Sequence, residues 1–164
     1  MQSTNTNSTH SQKSGEDEKS LTTRKFRILL VVMLVLLSIQ GWLGDTVNIF
    51  YSPPNGLTSP PFTFGGFLSA MEAIPAPFFI LYHAFQGMCL VALAAAVFAL
   101  SFKWSKARSV KITSGLGFAS VLSAAIGGFL FVMSGFSNGG NSAQMGGSFI
   151  GAYALFFLTL FYAK

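Results

Sequence analysis

Charge is the scarcest property of this sequence, since only 9% of its 164 residues are Asp, Glu, Lys or Arg. A soluble domain carries about 25% charged residues, which keep its surface hydrated. At the same time 51% of the residues are hydrophobic, and they fall in long unbroken blocks instead of short alternating runs. The deficit therefore argues against an ordinary soluble domain and predicts a protein of the membrane.

Other features are also missing. The chain has one cysteine, Cys89, so no disulfide can form within it. It has no metal-ligand spacing of His, Cys, Asp and Glu, no phosphate-binding G-x-x-x-x-G-K-[ST] loop and no nucleophile elbow. These absences argue against a disulfide-stapled domain and lead us to expect no catalytic activity of its own.

Four apolar segments are long enough to cross a bilayer, which takes about 20 residues of helix. They cover approximately residues 28–49, 76–101, 112–135 and 143–163. We therefore predict an all-α fold, a polytopic membrane four-helix bundle over residues 26–164. Residues 1–25 are polar, lack aromatic side chains and mix both charges, which is typical of a disordered tail.

All ten cationic residues lie on one side of this arrangement. They precede the first span, fill the loop between the second and third spans, or end the chain: Lys13, Lys19, Arg24, Lys25, Arg27, Lys103, Lys106, Arg108, Lys111 and Lys164. Because Lys and Arg near spans are retained in the cytoplasm, the pattern predicts an N-in/C-in protein of the cell membrane. The net charge of +5 is thus explained by topology and does not point to nucleic acid.

The two predicted outer loops differ in kind. Residues 51–75 contain prolines that forbid a continuous helix, yet they are too apolar to float in water, so we expect them at the outer interface or as a cap on the bundle. The other loop, 136–142, holds Asn138-Gly139-Gly140-Asn141, which favours a tight chain reversal, with Ser142 as N-cap of the last helix.

His83 lies inside the second span, about two turns from its predicted outer end. Ionisable groups inside spans are rare and often functional. A neutral imidazole there would be able to ligate haem iron, hydrogen-bond a quinone or relay a proton, and Gly87 leaves room beside it for a flat cofactor or a close helix. The alternative is a neutral histidine that hydrogen-bonds a neighbouring helix. A second haem ligand would have to be Met33, Met88, Met133 or the His83 of a second copy.

A second polar cluster, Gln40, Asp45 and Asn48, lies near the outer end of the first span. Asp45 would pair with His83 if the two residues lie at equal depth. The interpretation that we favour is that Asp45 reaches interfacial water, because nothing in the sequence shows that it is buried.

Small residues predict where the last two helices pack. The third span carries a stripe at spacings of four and three, and the fourth carries a G-x-x-x-G with small neighbours: Thr113, Gly117, Ser120, Ala124 and Gly127, and Gly147, Ser148, Gly151, Ala152 and Thr159. Because such residues let two backbones approach closely, we expect these two faces to be in contact.

The order of several motifs resembles small uncharacterised four-helix membrane proteins of archaea and some bacteria. The motifs are Trp42-Leu43-Gly44, Tyr82-His83 with Gly87, Gly127-Gly128 with Ser134-Gly135, and Asn141-Ser142 with Met145 and Phe149. This resemblance covers about Arg27 to the end and implies a fold but no activity. The chain also resembles, more loosely, the haem-b membrane anchors of respiratory complexes, but those have two or more histidines in their spans and this chain has only His83.

We therefore expect a small integral membrane subunit or accessory protein that acts by helix packing and partner binding. Its partners would be the lipid bilayer and either other membrane subunits or further copies of itself. The alternative is a haem-b or quinone-binding redox subunit built around His83.

Overall fold

A computed structural model describes residues 7–50, 58–75 and 77–163, with side chains described from Leu21 onward apart from Asn48 and Phe50. Within these ranges the chain is entirely helical and contains no strand. The five helices are α1 (Asn7–Phe50), α2 (Phe64–Glu72), α3 (Pro77–Trp104), α4 (Arg108–Met133) and α5 (Gly139–Tyr162). The predicted all-α class is therefore confirmed for the described part of the chain.

Helix α1 is longer than the predicted span, because it begins at Asn7. It runs through most of the segment 1–25, which we predicted to be a disordered tail. The segment contains no proline and a single glycine, Gly15, so nothing in it stops a helix sterically. Once the apolar part of α1 has nucleated, each further polar residue adds a backbone hydrogen bond at low cost. Residues 1–6 lie outside the described ranges.

Four of the helices are long and apolar enough to cross a membrane: Leu21–Val47, Pro77–Trp104, Arg108–Met133 and Gly139–Tyr162. The most apolar 18-residue stretch of each helix has a mean hydropathy of 2.2, 2.0, 2.1 and 1.5, in chain order. Only 33%, 28%, 28% and 17% of the residues in these stretches are buried within the described chain. Large apolar side chains such as Phe78 and Ile150 are instead exposed. Soluble monomers rarely expose so much contiguous apolar surface. The prediction of four helices of spanning length is confirmed.

The four long helices form a closed ring in which each packs against two others. Helix α1 contacts α3 and α5, and α4 contacts the same two helices, so α1 and α4 lie on one diagonal of the ring. The α4–α5 pair is the most extensive and the α1–α5 pair the least. Because the connections between successive helices reverse the chain, neighbours in the ring are antiparallel.

One face of each long helix builds the main core. On α1 the buried residues recur at spacings of four and three, namely Phe26, Leu30, Met33 and Leu37. This is the period that keeps one face of a helix turned towards its neighbours. The other helices contribute Leu90, Ala94, Val97, Val110, Val121, Ala152 and Phe156. An edge-to-face contact between Phe26 and Trp104, with ring centroids 6.1 Å apart, lies in the same cluster.

The two ends of the bundle differ in charge. One end, which we call the basic end, holds the cations next to the spans: Arg24, Lys25, Arg27, Lys103, Lys106, Arg108 and Lys111. The opposite end, which we call the cap end, holds Asp45 and Glu72, the two acidic residues whose side chains are described. Lys164 lies outside the described residues.

Helix α2 covers the cap end. It lies in the segment 51–75, of which residues 58–75 are described, and it packs against α3 and α4. Thr63 caps it, since its hydroxyl accepts a hydrogen bond from the Gly66 amide at 3.0 Å. Met71 and Ala70 are buried in a small second core with Ile74, Ile80 and Val132. Of the two expected arrangements for this segment, the described residues adopt the cap.

The chain reverses between α4 and α5 earlier than we predicted. Gly135 and Phe136 have φ angles of 64° and 60°, and the Phe136 amide bonds back to the Phe131 carbonyl at 3.0 Å. Left-handed residues of this kind satisfy the last carbonyls of a helix. The N-cap of α5 is Asn138, whose Oδ1 accepts from Gly140 at 3.0 Å. The prediction of Ser142 as N-cap was wrong, because the glycines that we assigned to the turn form the first turn of α5.

Candidate functional site

The contact between α1 and α3 contains two matching motifs. Gln40 and Gly44 are four residues apart on α1, and His83 and Gly87 are four residues apart on α3. A Cβ on Gly44 would lie 3.1 Å from His83 Cε1, and a Cβ on Gly87 would lie 3.3 Å from Gln40 Nε2. Since the helices are antiparallel, each polar side chain fills the space above the glycine of the other helix. The room beside His83 is therefore taken by a close helix.

Gln40 makes two polar contacts with His83. Its Nε2 donates to the His83 backbone carbonyl at 3.0 Å and lies 3.3 Å from the imidazole Nε2. The amide nitrogen of glutamine can only donate a hydrogen bond. The imidazole Nε2 is therefore the acceptor in this contact, and Nδ1 carries the ring proton. The arrangement fixes one tautomer of a neutral histidine and uses the lone pair of Nε2.

Gln86 extends this polar contact by one turn of α3. Its Nε2 donates to the Leu36 carbonyl at 3.1 Å, and the residue is buried, with an exposed fraction of 8%. Three buried polar atoms of the cluster have no hydrogen-bond partner: Gln40 Oε1, His83 Nδ1 and Gln86 Oε1. Because Nδ1 carries the ring proton, His83 Nδ1 is an unpaired donor and the two amide oxygens are unpaired acceptors. Buried groups of this kind are costly to leave unpaired.

The polar cluster predicted on α1 is divided in the structure. Gln40 enters the α1–α3 contact, whereas Asp45 is exposed. The imidazole Nε2 of His83 contacts Gln40, so the suggested Asp45 partner is replaced by an amide. The favoured interpretation, in which Asp45 faces outward, agrees with its exposure. The side chain of Asn48 lies outside the described residues.

A haem does not fit this arrangement. The iron would need a free imidazole lone pair, but that of Nε2 is engaged by Gln40 and Nδ1 bears the proton. The methionines do not supply a second ligand either, because Met33 belongs to the main core, Met133 is buried in α4 and Met88 is exposed. The described residues also contain no group of three or more His, Cys, Asp or Glu that would hold a metal ion. A quinone would need hydrogen-bonding groups and not a metal ligand, and the unpartnered atoms of the cluster are groups of this kind, but α1 takes the room beside the ring, so α1 and α3 would have to separate to admit it.

The packing between α4 and α5 uses most of the predicted small residues. A Cβ on Gly127 would lie 3.0 Å from the backbone nitrogen of Met145, and one on Gly117 would lie 3.0 Å from the ring of Phe156. A Cβ on Gly151 would be in ordinary contact with the Ser120 hydroxyl at 3.7 Å.

Hydroxyl groups line the same α4–α5 contact. Ser123 and Ser148 share a hydrogen bond of 2.9 Å, and Thr159 donates to Thr113 at 2.8 Å. Thr159 is fully buried, and Ala124 of the predicted stripe is partly buried. The two helices are thus joined by close backbone approach and by polar side chains together.

Gly147 departs from the prediction. We expected it to pack against α4, but it is exposed and a Cβ on it would meet no atom within 4 Å. The neighbouring Ser148 takes the position facing α4, and one residue along a helix turns the side chain by about 100°. Gly146 is open in the same way. The G-x-x-x-G motif of α5 is therefore split, with Gly151 near α4 and Gly147 on the outside.

Gln86 is the residue that sequence reasoning missed. It follows His83 by three residues, which places both on one face of a helix. A polar amide in a span that is otherwise apolar is itself a signal, and together the spacing and the polarity would have identified it.

We found no match to the chain among protein-family models, curated proteins or solved structures. The fold itself defines the class, which is a small helical protein whose four long helices are apolar enough to cross a membrane.

Proposed function

We propose that the chain is a multi-pass protein of the cell membrane that serves as a small subunit of a larger membrane assembly, with helix α5 facing its partner. The basic end would lie in the cytoplasm, as the positive-inside rule requires, and the cap end outside. The long helices expose large apolar faces, which supports a lipid environment, because such faces are rarely exposed to water in soluble monomers.

The observation that carries the partner role is a pair of open glycines in the interior of α5, Gly146 and Gly147; the third open glycine of this helix, Gly139, is its first residue. Glycine inside a helix costs about 1 kcal/mol relative to alanine, so it needs a reason. Gly117 and Gly127 have one, since a Cβ on either would meet α5 at 3.0 Å. Gly146 and Gly147 have none among the described residues, because no atom of these lies within 4 Å of a Cβ added at either position. A neighbouring helix that approaches closely at this position supplies the reason.

Burial supports the same helix. Only 17% of the most apolar window of α5 is buried, the lowest value among the four long helices. Ile150 and Tyr153 are exposed within about two turns of the open glycines, and aromatic side chains such as Tyr153 are common at protein interfaces. Within the described residues, the side of α5 that faces neither α4 nor α1 is thus apolar and exposed, and the two glycines would allow another helix to approach it closely.

The test is the size of the assembly extracted gently from native membranes. Gly147→Leu fills open space, so the isolated chain should unfold at an unchanged temperature while the large species disappears on native gels. Ala96→Leu is the matched control, since Ala96 is also exposed but lies on α3. A wild-type chain that migrates alone, or a Gly147→Leu assembly of full size, would contradict the proposal.

A second candidate function is quinone binding at the α1–α3 contact. It is favoured by the three unpartnered atoms, Gln40 Oε1, His83 Nδ1 and Gln86 Oε1. The imidazole N–H would donate to a quinone oxygen, and the two amide oxygens would accept from the hydroxyls of the reduced form. The bound group would supply two-electron redox chemistry that the side chains of this chain lack.

A further inference from the structure

A groove with a volume of about 310 Å³ lies at the basic end between α1 and α5. Arg27 of α1 forms one side, and Phe157, Leu160 and Phe161 of α5 form the other. The wall is therefore apolar and partly aromatic, with one guanidinium at its edge. Phe157 and Phe161 are both more than half exposed.

The groove lies where the ring of helices is least tightly closed, because α1 and α5 make the smallest contact between neighbours. Nearer the cap end the same two helices are held together, since the Phe149 ring reaches within 2.8 Å of a Cβ position on Gly41. At the basic end the inward-facing Phe26 fills the core. Arg27, the next residue, is left on the outside of the bundle.

The charge of Arg27 has no nearby counterpart among the described side chains. The two described carboxylates, Asp45 and Glu72, lie at the cap end. Asp45 follows Arg27 by 18 residues on the same helix, which corresponds to about 27 Å along its axis. The other described side chains with charge at the basic end are all cations. A ligand that fits this groove therefore carries an anionic group next to an apolar part.

We propose that the groove binds one anionic phospholipid, with its phosphate on Arg27 and an acyl chain along Phe157, Leu160 and Phe161. Guanidinium groups bind phosphate through two parallel hydrogen bonds, and basic pockets between membrane helices on the cytoplasmic side bind acidic headgroups. At about 310 Å³ the groove is at the lower end of the range of ligand pockets, about 300–1,000 Å³, so it takes part of a lipid and not a whole one. The proposal rests on the membrane orientation proposed above.

The test is native mass spectrometry of the full chain released from vesicles that contain equal amounts of phosphatidylglycerol and phosphatidylcholine. The wild type should retain one phosphatidylglycerol. Arg27→Gln should retain about fivefold less, which is the change that corresponds to about 1 kcal/mol for one cation near an acidic lipid. The matched control is Arg24→Gln, because Arg24 is also exposed on α1 but does not line the groove.

Two further variants and one competitor separate the contributions of the headgroup and the chain. Phe157→Ala should lower retention as well, whereas inorganic phosphate at the same concentration should not displace the lipid. Equal losses in Arg24→Gln and Arg27→Gln, displacement by phosphate, or a dimer that buries the groove would each overturn the proposal. Failure of the proposed membrane insertion would be seen separately, because the chain would not remain with the vesicles after an alkaline wash, and an inverted orientation would be seen as activity of an outside-only reporter fused at Lys106.

Discussion

The imidazole of His83 lies over Gly44, with its Cε1 atom 3.1 Å from the point where a Cβ on that glycine would be. The relation is reciprocal, because Gln40 lies over Gly87 in the same way. Each glycine thus makes room for a polar side chain from the facing helix. Polar side chains that bridge helices in a membrane contribute about 0.6 kcal/mol on average, so we attribute much of the α1–α3 contact to this fit of shapes.

We expect Gly44→Ala and His83→Ala to be coupled. In the wild type the added methyl group would press on the imidazole, an overpacking that costs about 1–3 kcal/mol. With alanine at position 83 the ring is gone, so the same methyl group should cost nothing and the helix should gain from losing a glycine. Unfolding of the four proteins in detergent gives the coupling free energy. Additive effects would show that the ring does not lie over Gly44.

Two glycines of the α4–α5 pair should respond oppositely to the same change. Gly127→Ala places a methyl group 3.0 Å from the Met145 backbone nitrogen, which cannot move aside as a side chain would, so stability in detergent should fall by about 1–3 kcal/mol. Gly147→Ala adds a methyl group in open space and should leave stability unchanged or slightly higher. Gly151→Leu, which exceeds the ordinary contact with Ser120, should resemble Gly127→Ala. Equal tolerance at Gly127 and Gly147 would contradict the close approach of the two helices.

The number of helices of spanning length, the approximate bounds of their apolar parts and the α4–α5 interface could be predicted because they depend on average properties, whereas the short helix α2 was not predicted. A span of about 20 apolar residues, or a stripe of small residues, is still recognised when its predicted bounds are wrong by one or two residues. The turn before α5 depends on two left-handed residues, Gly135 and Phe136, and Phe136 adopts a conformation that its side chain does not favour. Its ring packs against Phe131, with centroids 5.5 Å apart, and such a tertiary contact is not visible in local sequence.

The partner of His83 could not be predicted for a related reason. Both Asp45 and Gln40 lie on α1, and which one meets His83 depends on how α1 is shifted and rotated against α3. Asp45 follows Gln40 by five residues, about 7.5 Å along the helix and about 140° around it, so both a shift and a rotation would be needed to exchange the two. That register is set by the packing of the whole core, and sequence spacing within a single helix does not contain it.

The orientation of the bundle leads to a prediction about reporter fusions. The described cations next to the spans all lie at one end, so that end should remain in the cytoplasm. A reporter that is active only outside the cell should work when fused at Asn138, in the connection before α5, or at Asn55, which lies outside the described residues. The same reporter fused at Lys106 should be inactive. Activity at Lys106 would invert the proposed topology.

His83 distinguishes a helix contact from a quinone site. His83→Gln retains a group that can accept from the Gln40 amide, so a helix contact should survive it, whereas His83→Leu should cost about 1 kcal/mol of stability.

A quinone site would respond differently, because glutamine does not reproduce the imidazole N–H at Nδ1, and bound quinone should be lost in both variants while the helices still form. The measurement is the quinone extracted per mole of purified protein, with circular dichroism as the check on helix content. Gln86→Leu provides an independent control, since it removes an unpartnered acceptor and the bond to the Leu36 carbonyl but leaves Gln40 and His83 in place. Quinone retained at full stoichiometry in His83→Gln would exclude the redox role, and quinone lost from both His83 variants and from Gln86→Leu would exclude the helix contact as the whole purpose of the cluster.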